Sequence, residues 1–380
     1  MDFTFTPEQE ALQRNVREFA RRELAPMDEY LEDTMEFPWE AIGKMADLGI
    51  TGVLIPPEYG GSQLDAVSYA LVAYEMGYAG GPGYLLAGIT LGSLPIVMSG
   101  SEPQKQKYLP PVAQGIGLCS FGLTEPDAGS DNLAMRSTAV EVEGGYVLNG
   151  QKRFISLAGE ASTYIVFAKT DKKVGAKGVT AFIVEKGAPG FSFGPQENKM
   201  GLKWVPLCDL ILEDVFVPRE NVLGEVGGGF KVAMSVLDYG RITVAAGNLG
   251  IAQHAFDLAA RYSLERVQFG KPIASFQATQ FKLAELATQL EAGRLLAFQA
   301  AWRKERGIPV TLAASYAKLF VTDLAIKVTY EAQQIHGGYG YIKEYKVEGL
   351  ARVARLGTIG EGTSEIQKIL IAQNLLKLYQ

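Results

Sequence analysis

The 380-residue chain is 47% hydrophobic and 21% charged, the balance of a globular protein with a substantial core, and at roughly 100–200 residues per domain it has room for two or three domains. Its net charge of −6 argues against nucleic acid or an anionic membrane as partner. Two histidines cannot build a multi-histidine metal site, and Cys119 and Cys208 share no CxxC spacing, so neither metal nor disulfide is expected and a reducing cytoplasm fits best.

The opening MDFTFTPEQEALQRN lacks the basic start and apolar run of a signal peptide and is too acidic for a transit peptide. No stretch reaches about 18 uninterrupted apolar residues, so no membrane span is expected. The first third reads helical. Thr6-Pro7-Glu8-Gln9 is a capping box with proline at the first helical position, and Leu12, Val16, Phe19 and Ala20 recur at helical spacing. Breaks at Ile55 to Gly61 and Ala79 to Gly83 precede further helix, including an apolar run from Leu85 to Met98. Near Cys119 the texture changes to short β-rich runs, Tyr164 to Ala168, Val179 to Val184 and Leu210 to Leu212. Turn signals at Glu143-Gly144-Gly145 and Ala188-Pro189-Gly190 separate them, with no helical pattern between, so a small β-domain is expected rather than βαβ units. After Gly227-Gly228-Gly229 come three long helical runs, Met234 to Glu265, Ala278 to Arg306 and Thr311 to Gly337, with Pro309 breaking the last two. The expected fold is α+β and mainly α: an N-terminal helical domain over 1–118, a central β-barrel or sandwich over 119–225, and a C-terminal four-helix bundle over 226–380.

No GxGxxG follows an expected strand, and no GxxxxGK[ST], GxSxG or HExxH occurs, which leaves Rossmann, P-loop, hydrolase-elbow and zinc-protease readings without support. Three polar, glycine-containing segments stand out instead: Leu123 to Asp131 (LTEPDAGSD), Arg266 to Pro272 (RVQFGKP) and Ile359 to Gln367 (IGEGTSEIQ). Alone, each has a plain structural explanation: a tight turn, a helix terminus before Pro272, and a helix start with Glu361 favoured by the dipole.

Together with the QIHGGYG segment at Gln334 to Gly340, in this order, they resemble the acyl-CoA dehydrogenases over essentially the whole chain. The resemblance implies FAD as cofactor, an acyl-CoA thioester as substrate and electron-transferring flavoprotein as acceptor. It also implies a homo-oligomer, usually a dimer of dimers, in which neighbouring subunits share the FAD site. Phe121, Leu123, Thr124 and Ser130 would line the flavin, with Ser130 facing the CoA side; Phe154, Ile155 and Ser156 match the second flavin-contacting strand. Arg266 and Phe269, then Phe276 and Gln277, then Gln334, Gly337 and Gly338 match FAD contacts made from the neighbouring subunit. A guanidinium suits pyrophosphate, and glycine lets backbone N–H groups approach phosphate. Thr363 and Glu365 match positions near the FAD, while Asp238, Arg241 and Gly362 match the acyl-CoA side.

Oxidising a thioester between Cα and Cβ removes a weakly acidic proton from one carbon and a hydride from the next. A carboxylate must therefore act in a water-poor site that raises its basicity, and the thioester oxygen needs hydrogen-bond donors. By resemblance Glu361 is the base and flavin N5 takes the β-hydride. Some branched-chain and long-chain family members carry the base one residue before the arginine matched by Arg241; here that residue is Gly240, so the choice falls on Glu361. The chain departs from its relatives at Gly360, where a bulkier residue is common, and at Lys203-Trp204-Val205-Pro206, where small polar residues are usual. Gly360 is expected to widen the pocket, and Trp204 to lie near the flavin or at the surface. The segment Tyr84 to Thr90 carries no charge, which disfavours a dicarboxylic substrate and leaves a branched or alicyclic acyl group of short to medium length as the expectation. Oxygen-using acyl-CoA oxidation on the same scaffold, or a non-catalytic assembly protein, are the alternatives.

Overall fold

The computed structural model describes residues 4–379. Its N-terminal helices are α1 (Pro7–Phe19), α2 (Ala25–Thr34), α3 (Trp39–Asp47), α4 (Ala66–Tyr78), α5 (Pro82–Ser99) and α6 (Glu102–Ala113). The capping box forms as the sequence implies: Gln9 N donates to Thr6 Oγ1 at 3.2 Å, and Thr6 N to Gln9 Oε1 at 3.1 Å. Every residue of α4 is buried, so this helix has no polar stripe and runs through the core. By length and composition α5 could cross a membrane, which a count of uninterrupted apolar residues overlooks. Yet 67% of it is buried inside the protein, and it packs on α4, α7 and β1 as a core helix.

The middle of the chain forms β1 (Cys119–Gly122), β2 (Thr138–Val142), β3 (Gly145–Ser156), β4 (Thr163–Lys169), β5 (Val179–Glu185), β6 (Phe191–Phe193), β7 (Leu207–Pro218) and β8 (Val222–Leu223). They order as β6-β7-β3-β2-β4-β5-β8, with β1 parallel to β4. Gly144, at φ 79°, makes the β2–β3 turn, as the Glu143-Gly144-Gly145 signal implies. The antiparallel β3–β7 ladder slips between Lys152 and Ile155, and Phe154 within that bulge has φ 58°. A bulge breaks the inside–outside alternation and re-aims a side chain. Phe154 is accordingly 55% exposed, while Ile155 beside it is buried.

The C-terminal part comprises α7 (Gly229–Glu265), a hairpin of β9 (Val267–Gln268) and β10 (Lys271–Pro272), α8 (Gln277–Glu305), α9 (Thr311–His336), α10 (Val347–Ala354) and α11 (Ser364–Leu376). Helix α9 packs against α7, α8 and α11 in the four-helix bundle. Helix α7 also crosses α4 at very short range. A Cβ on Gly77 would meet Gly247 O at 2.1 Å, and one on Gly250 would meet Tyr74 O at 2.0 Å. The glycines let the two backbones touch, so the terminal helical parts share one core. Trp204 does not lie at the surface, one of the two places expected for it, but is buried beside Gly81, where an added Cβ would sit 2.9 Å from its ring. The loop before β7 tucks under the start of α5, and the indole fills the space that glycine leaves.

Candidate active site

Glu361 lies in the loop between α10 and α11, with φ 54°, followed by Gly362 at φ 93°. Left-handed backbone in a non-glycine residue costs on the order of 1–3 kcal/mol and persists only where surrounding contacts impose it. Here the Gly362 carbonyl accepts from Lys318 Nζ and from Gln367 Nε2 at 3.0 Å, and Thr363 Oγ1 caps α11 by accepting from Ile366 N at 3.3 Å. The bend turns the Glu361 carboxylate onto α7. A Cβ built on Gly240 would lie 1.7 Å from Glu361 Oε2, so the carboxylate occupies the very space a side chain at 240 would fill.

Glu361 Oε2 is buried and has no hydrogen-bond partner among the described residues. Burial pushes this carboxyl up to about 7, and the cations Lys318 and Arg241 hold it from rising further. Arg241 is itself buried, which lowers its pKa, and it donates to Asp238 Oδ1 at 2.7 Å; Thr311 Oγ1 donates to Asp238 Oδ2 at 3.1 Å. Two tyrosines face the same carboxylate. Tyr69 shares a 2.6 Å hydrogen bond with Thr90 Oγ1, and the Tyr84 hydroxyl accepts from Asn248 Nδ2 at 2.9 Å. Burial, reinforced by the Glu361 charge, raises both phenols, which therefore stay neutral. The arrangement is a buried, water-poor setting, with two cations at hand, around one carboxyl poised to gain or lose a proton near neutrality.

The expected flavin segments meet on one face of the β-domain. Arg153 N donates to Thr124 O at 2.8 Å and Ser120 Oγ to Ser156 O at 2.6 Å, which ties the loop after β1 to the β3 bulge. The Leu123 and Ile155 side chains are buried in the core, so these two residues can offer only backbone to a ligand; Phe121 is half-buried on β1. Thr124, Phe154 and Ser156 reach the surface there, and Ser130 is exposed at the end of the loop. An exposed aromatic ring beside two hydroxyls suits a flat heteroaromatic ring with polar edges, so these residues fit a flavin.

A residue that sequence reasoning passed over holds this loop. Glu125 is buried; its Oε1 accepts from Lys152 Nζ at 2.7 Å and from Ser137 N at 3.1 Å, and its Oε2 accepts from Arg136 N. Burial alone would raise the Glu125 pKa, but Lys152 and the backbone donors outweigh it and leave it lowered. No local signal marked it, because Lys152 lies in the polar run Asn149 to Arg153, between an exposed Gln151 and a half-buried Arg153.

Arg266, Phe269, Phe276, Gln277, Gln334, Gly337 and Gly338 gather elsewhere, at the ends of α7 and α9 and the start of α8. The Phe269 and Phe276 rings lie 6.1 Å apart, and Arg266 stacks 5.5 Å above the Tyr339 ring. Arg266 follows Arg241 by 25 positions of sequence, which at 1.5 Å per helical residue is about 37 Å along α7. Phe269 is 93% exposed at the tip of the β9–β10 hairpin. Thr363 and Glu365 stay beside Glu361, the first as the cap of α11 and the second exposed in its first turn. Gly360 is not sterically required, because a Cβ there would make only ordinary contact with Leu356 at 3.7 Å.

The chain matches the acyl-CoA dehydrogenase N-terminal domain over residues 6–116, the middle domain over 120–215 and the C-terminal domain over 227–376. Among curated relatives, the caffeyl-CoA reductase–Etf complex subunit CarC of Acetobacterium woodii is 44% identical, covering 98% of this chain and 99% of that protein. The structure of butyryl-CoA dehydrogenase from Megasphaera elsdenii superposes with a TM-score of 0.96 at 44% identity, over 99% of this chain and 100% of that one. An acyl-CoA dehydrogenase from Bacillus anthracis, solved in complex with FAD, gives a TM-score of 0.92 at 36% identity, over 98% of this chain and 67% of that one. The chain belongs to the acyl-CoA dehydrogenase family, FAD-dependent oxidoreductases acting on a CH–CH group.

Proposed function

We propose that this protein interconverts a saturated acyl-CoA and its α,β-unsaturated form, with Glu361 exchanging the α-proton. One observation carries the assignment: a buried carboxylate oxygen without a hydrogen-bond partner among the described residues, its pKa raised to about 7, against a glycine that leaves it room. Thr124, Phe154 and Ser156 would hold the flavin, and Thr363 and Glu365 lie near it; bound FAD supplies the two-electron acceptor. Asp238 fixes Arg241, Tyr69 and Tyr84 wall the carboxyl off from water, and the ionised carboxylate takes the proton. The same carboxyl in its protonated form can return that proton, so reduction of the unsaturated thioester uses the same residue.

The uncharged α5 segment supports an acyl group without a charged end, which we take to be branched or alicyclic and of short to medium length. A comparison of acyl-CoA thioesters by kcat/KM tests this, and a preference for straight-chain octanoyl-CoA would remove the idea. The relative that works within an Etf complex supports electron-transferring flavoprotein as the partner. The Arg266 group, about 37 Å along α7 from the base, supports an FAD site completed by a second copy in a homotetramer. Two buried free thiols, Cys119 and Cys208, suit a reducing compartment such as the cytoplasm.

The direct test is Glu361→Gln. The variant should keep its yellow flavin yet lose about a thousandfold in the rate of bleaching by acyl-CoA, within the roughly hundred- to ten-thousandfold that a positioned general base contributes. In the parent that rate should rise as pH climbs through about 7, because only the ionised carboxylate accepts a proton. Near-normal bleaching of the Gln variant would overturn the assignment.

A further inference from the structure

Lys318 has no part in the reaction as described so far, yet it is fully buried in the middle of α9. It falls on the apolar stripe of that helix, with Ala314, Val321, Ala325 and Val328, where an uncompensated charge would be costly. Its amine donates to the Gly362 carbonyl, the residue immediately after the base. We propose that Lys318 is a positioning residue for Glu361: its amine pins the Gly362 carbonyl and so holds the left-handed turn, and its charge faces the Glu361 carboxylate across the pocket. The inference rests on Glu361 being the base.

Two roles of one side chain are separable in this geometry. The pin works through hydrogen bonding, which a neutral amine also provides, and it is shared with Gln367 Nε2. The charge works through the field inside a pocket that excludes water, where an opposite charge favours the carboxylate. Five other groups face this pair. From α7, Arg241 is the second cation, but Asp238 already engages it at 2.7 Å. From α4 and α5 come the neutral phenols of Tyr69 and Tyr84. Asp323 on α9 and Glu365 on α11 act on Lys318 rather than on the base, and Asp323 also accepts from Ser364 Oγ at 3.2 Å. Lys318 is therefore the cation with the larger effect on Glu361, ahead of Arg241. Burial pushes its own amine down to about 8, so its charge fades just above the range in which Glu361 ionises. In the parent the Lys318 charge keeps the base ionised at neutral pH; without it, higher pH is needed.

The experiment uses the flavin-loaded enzyme carrying Lys318→Met, which removes both pin and charge, and Lys318→Gln, which keeps a donor but no charge. Each is titrated from about pH 5.5 to pH 9.5 by two readouts. One is the infrared carboxyl band that disappears in Glu361→Gln, which needs no turnover; the other is the single-turnover rate of flavin reduction. In both variants the midpoint should rise by at least about one unit, and the rate near pH 6.5 should fall about tenfold, with the gap closing as pH rises. At high pH the Met variant should stay several-fold slower than the Gln variant, because only Met loses the pin. An unmoved infrared midpoint, with the rate lowered by one factor at every pH, would show that Lys318 merely fills space. Equal rates for the two variants at high pH would remove the pinning role. If Met does not retain flavin, the Gln titration alone decides the charge. Flavin reduction persisting in Glu361→Gln would sink the base assignment instead, and the infrared midpoint would still report on Lys318.

Discussion

A methyl group at position 240 would collide with a carboxylate oxygen rather than with backbone, and that difference separates the cost to folding from the cost to chemistry. The Glu361 side chain can swing away from an added Cβ at 1.7 Å, so Gly240→Ala should shift the melting temperature little. The displaced carboxylate would no longer meet the α-carbon, and a misplacement of about 1 Å costs on the order of a hundredfold in rate. We expect a stopped-flow measurement to show flavin reduction at least about a hundredfold slower, with flavin content unchanged. Parent-like reduction would mean that the carboxylate does not use this space during turnover. The sequence exposed Gly240 as the absent rival base but not as its neighbour, because positions 240 and 361 meet only through the packing of α7 against the loop before α11. Lys318 was readable in principle, as a lone cation on an apolar helical stripe. Its partner was not, since nothing local shows that the Gly362 carbonyl turns toward α9.

Among the elements, helices announced themselves and strand irregularities did not. Capping boxes, prolines and 3.6-residue spacing are local signals, so α1, α7, α8 and α9 lie where the sequence places them. The β3 bulge depends on β7, more than fifty residues away, and no pattern within Lys152 to Ser156 reveals that Phe154 turns outward. The same strand carries Lys152, fully buried against Glu125. Removing one partner of such a pair leaves the other as an uncompensated buried charge, at a cost of about 3–5 kcal/mol. Lys152→Met should therefore lower unfolding free energy by about that amount in denaturant titration, and should release flavin, because Glu125 anchors the loop that carries Thr124. Unchanged stability would indicate that Glu125 takes up a proton and remains satisfied by its backbone donors.

At the level of the whole molecule, the proposed assignment would make one chain the bearer of two halves of a cofactor site that its own fold keeps apart. Thr124, Phe154, Ser156 and Glu361 belong to one half, while Arg266 and Phe269 sit beyond about 37 Å of helix at the other. Between α8 and α9 runs a groove of about 470 Å³ lined by Leu296, Tyr316, Phe320 and Leu324, with Tyr316 and Phe320 partly exposed. Gln289, Asp323 and Lys327 also line it. If two copies pair through the bundle and exchange the Arg266 halves, subunits with different lesions must rescue one another. Co-expression of Arg266→Ala with Glu361→Gln chains would place an intact Glu361 opposite an intact Arg266 in about a quarter of randomly mixed sites. The mixed preparation, assayed at FAD concentrations too low to load the Arg266→Ala parent, should then regain about a quarter of parental activity. If each chain completed its own site, every site in the mixture would carry one lesion, and the activity would stay at the average of the two variants. Phe320→Glu, which places a charge in the groove, should bring the sedimentation coefficient down and abolish the rescue together.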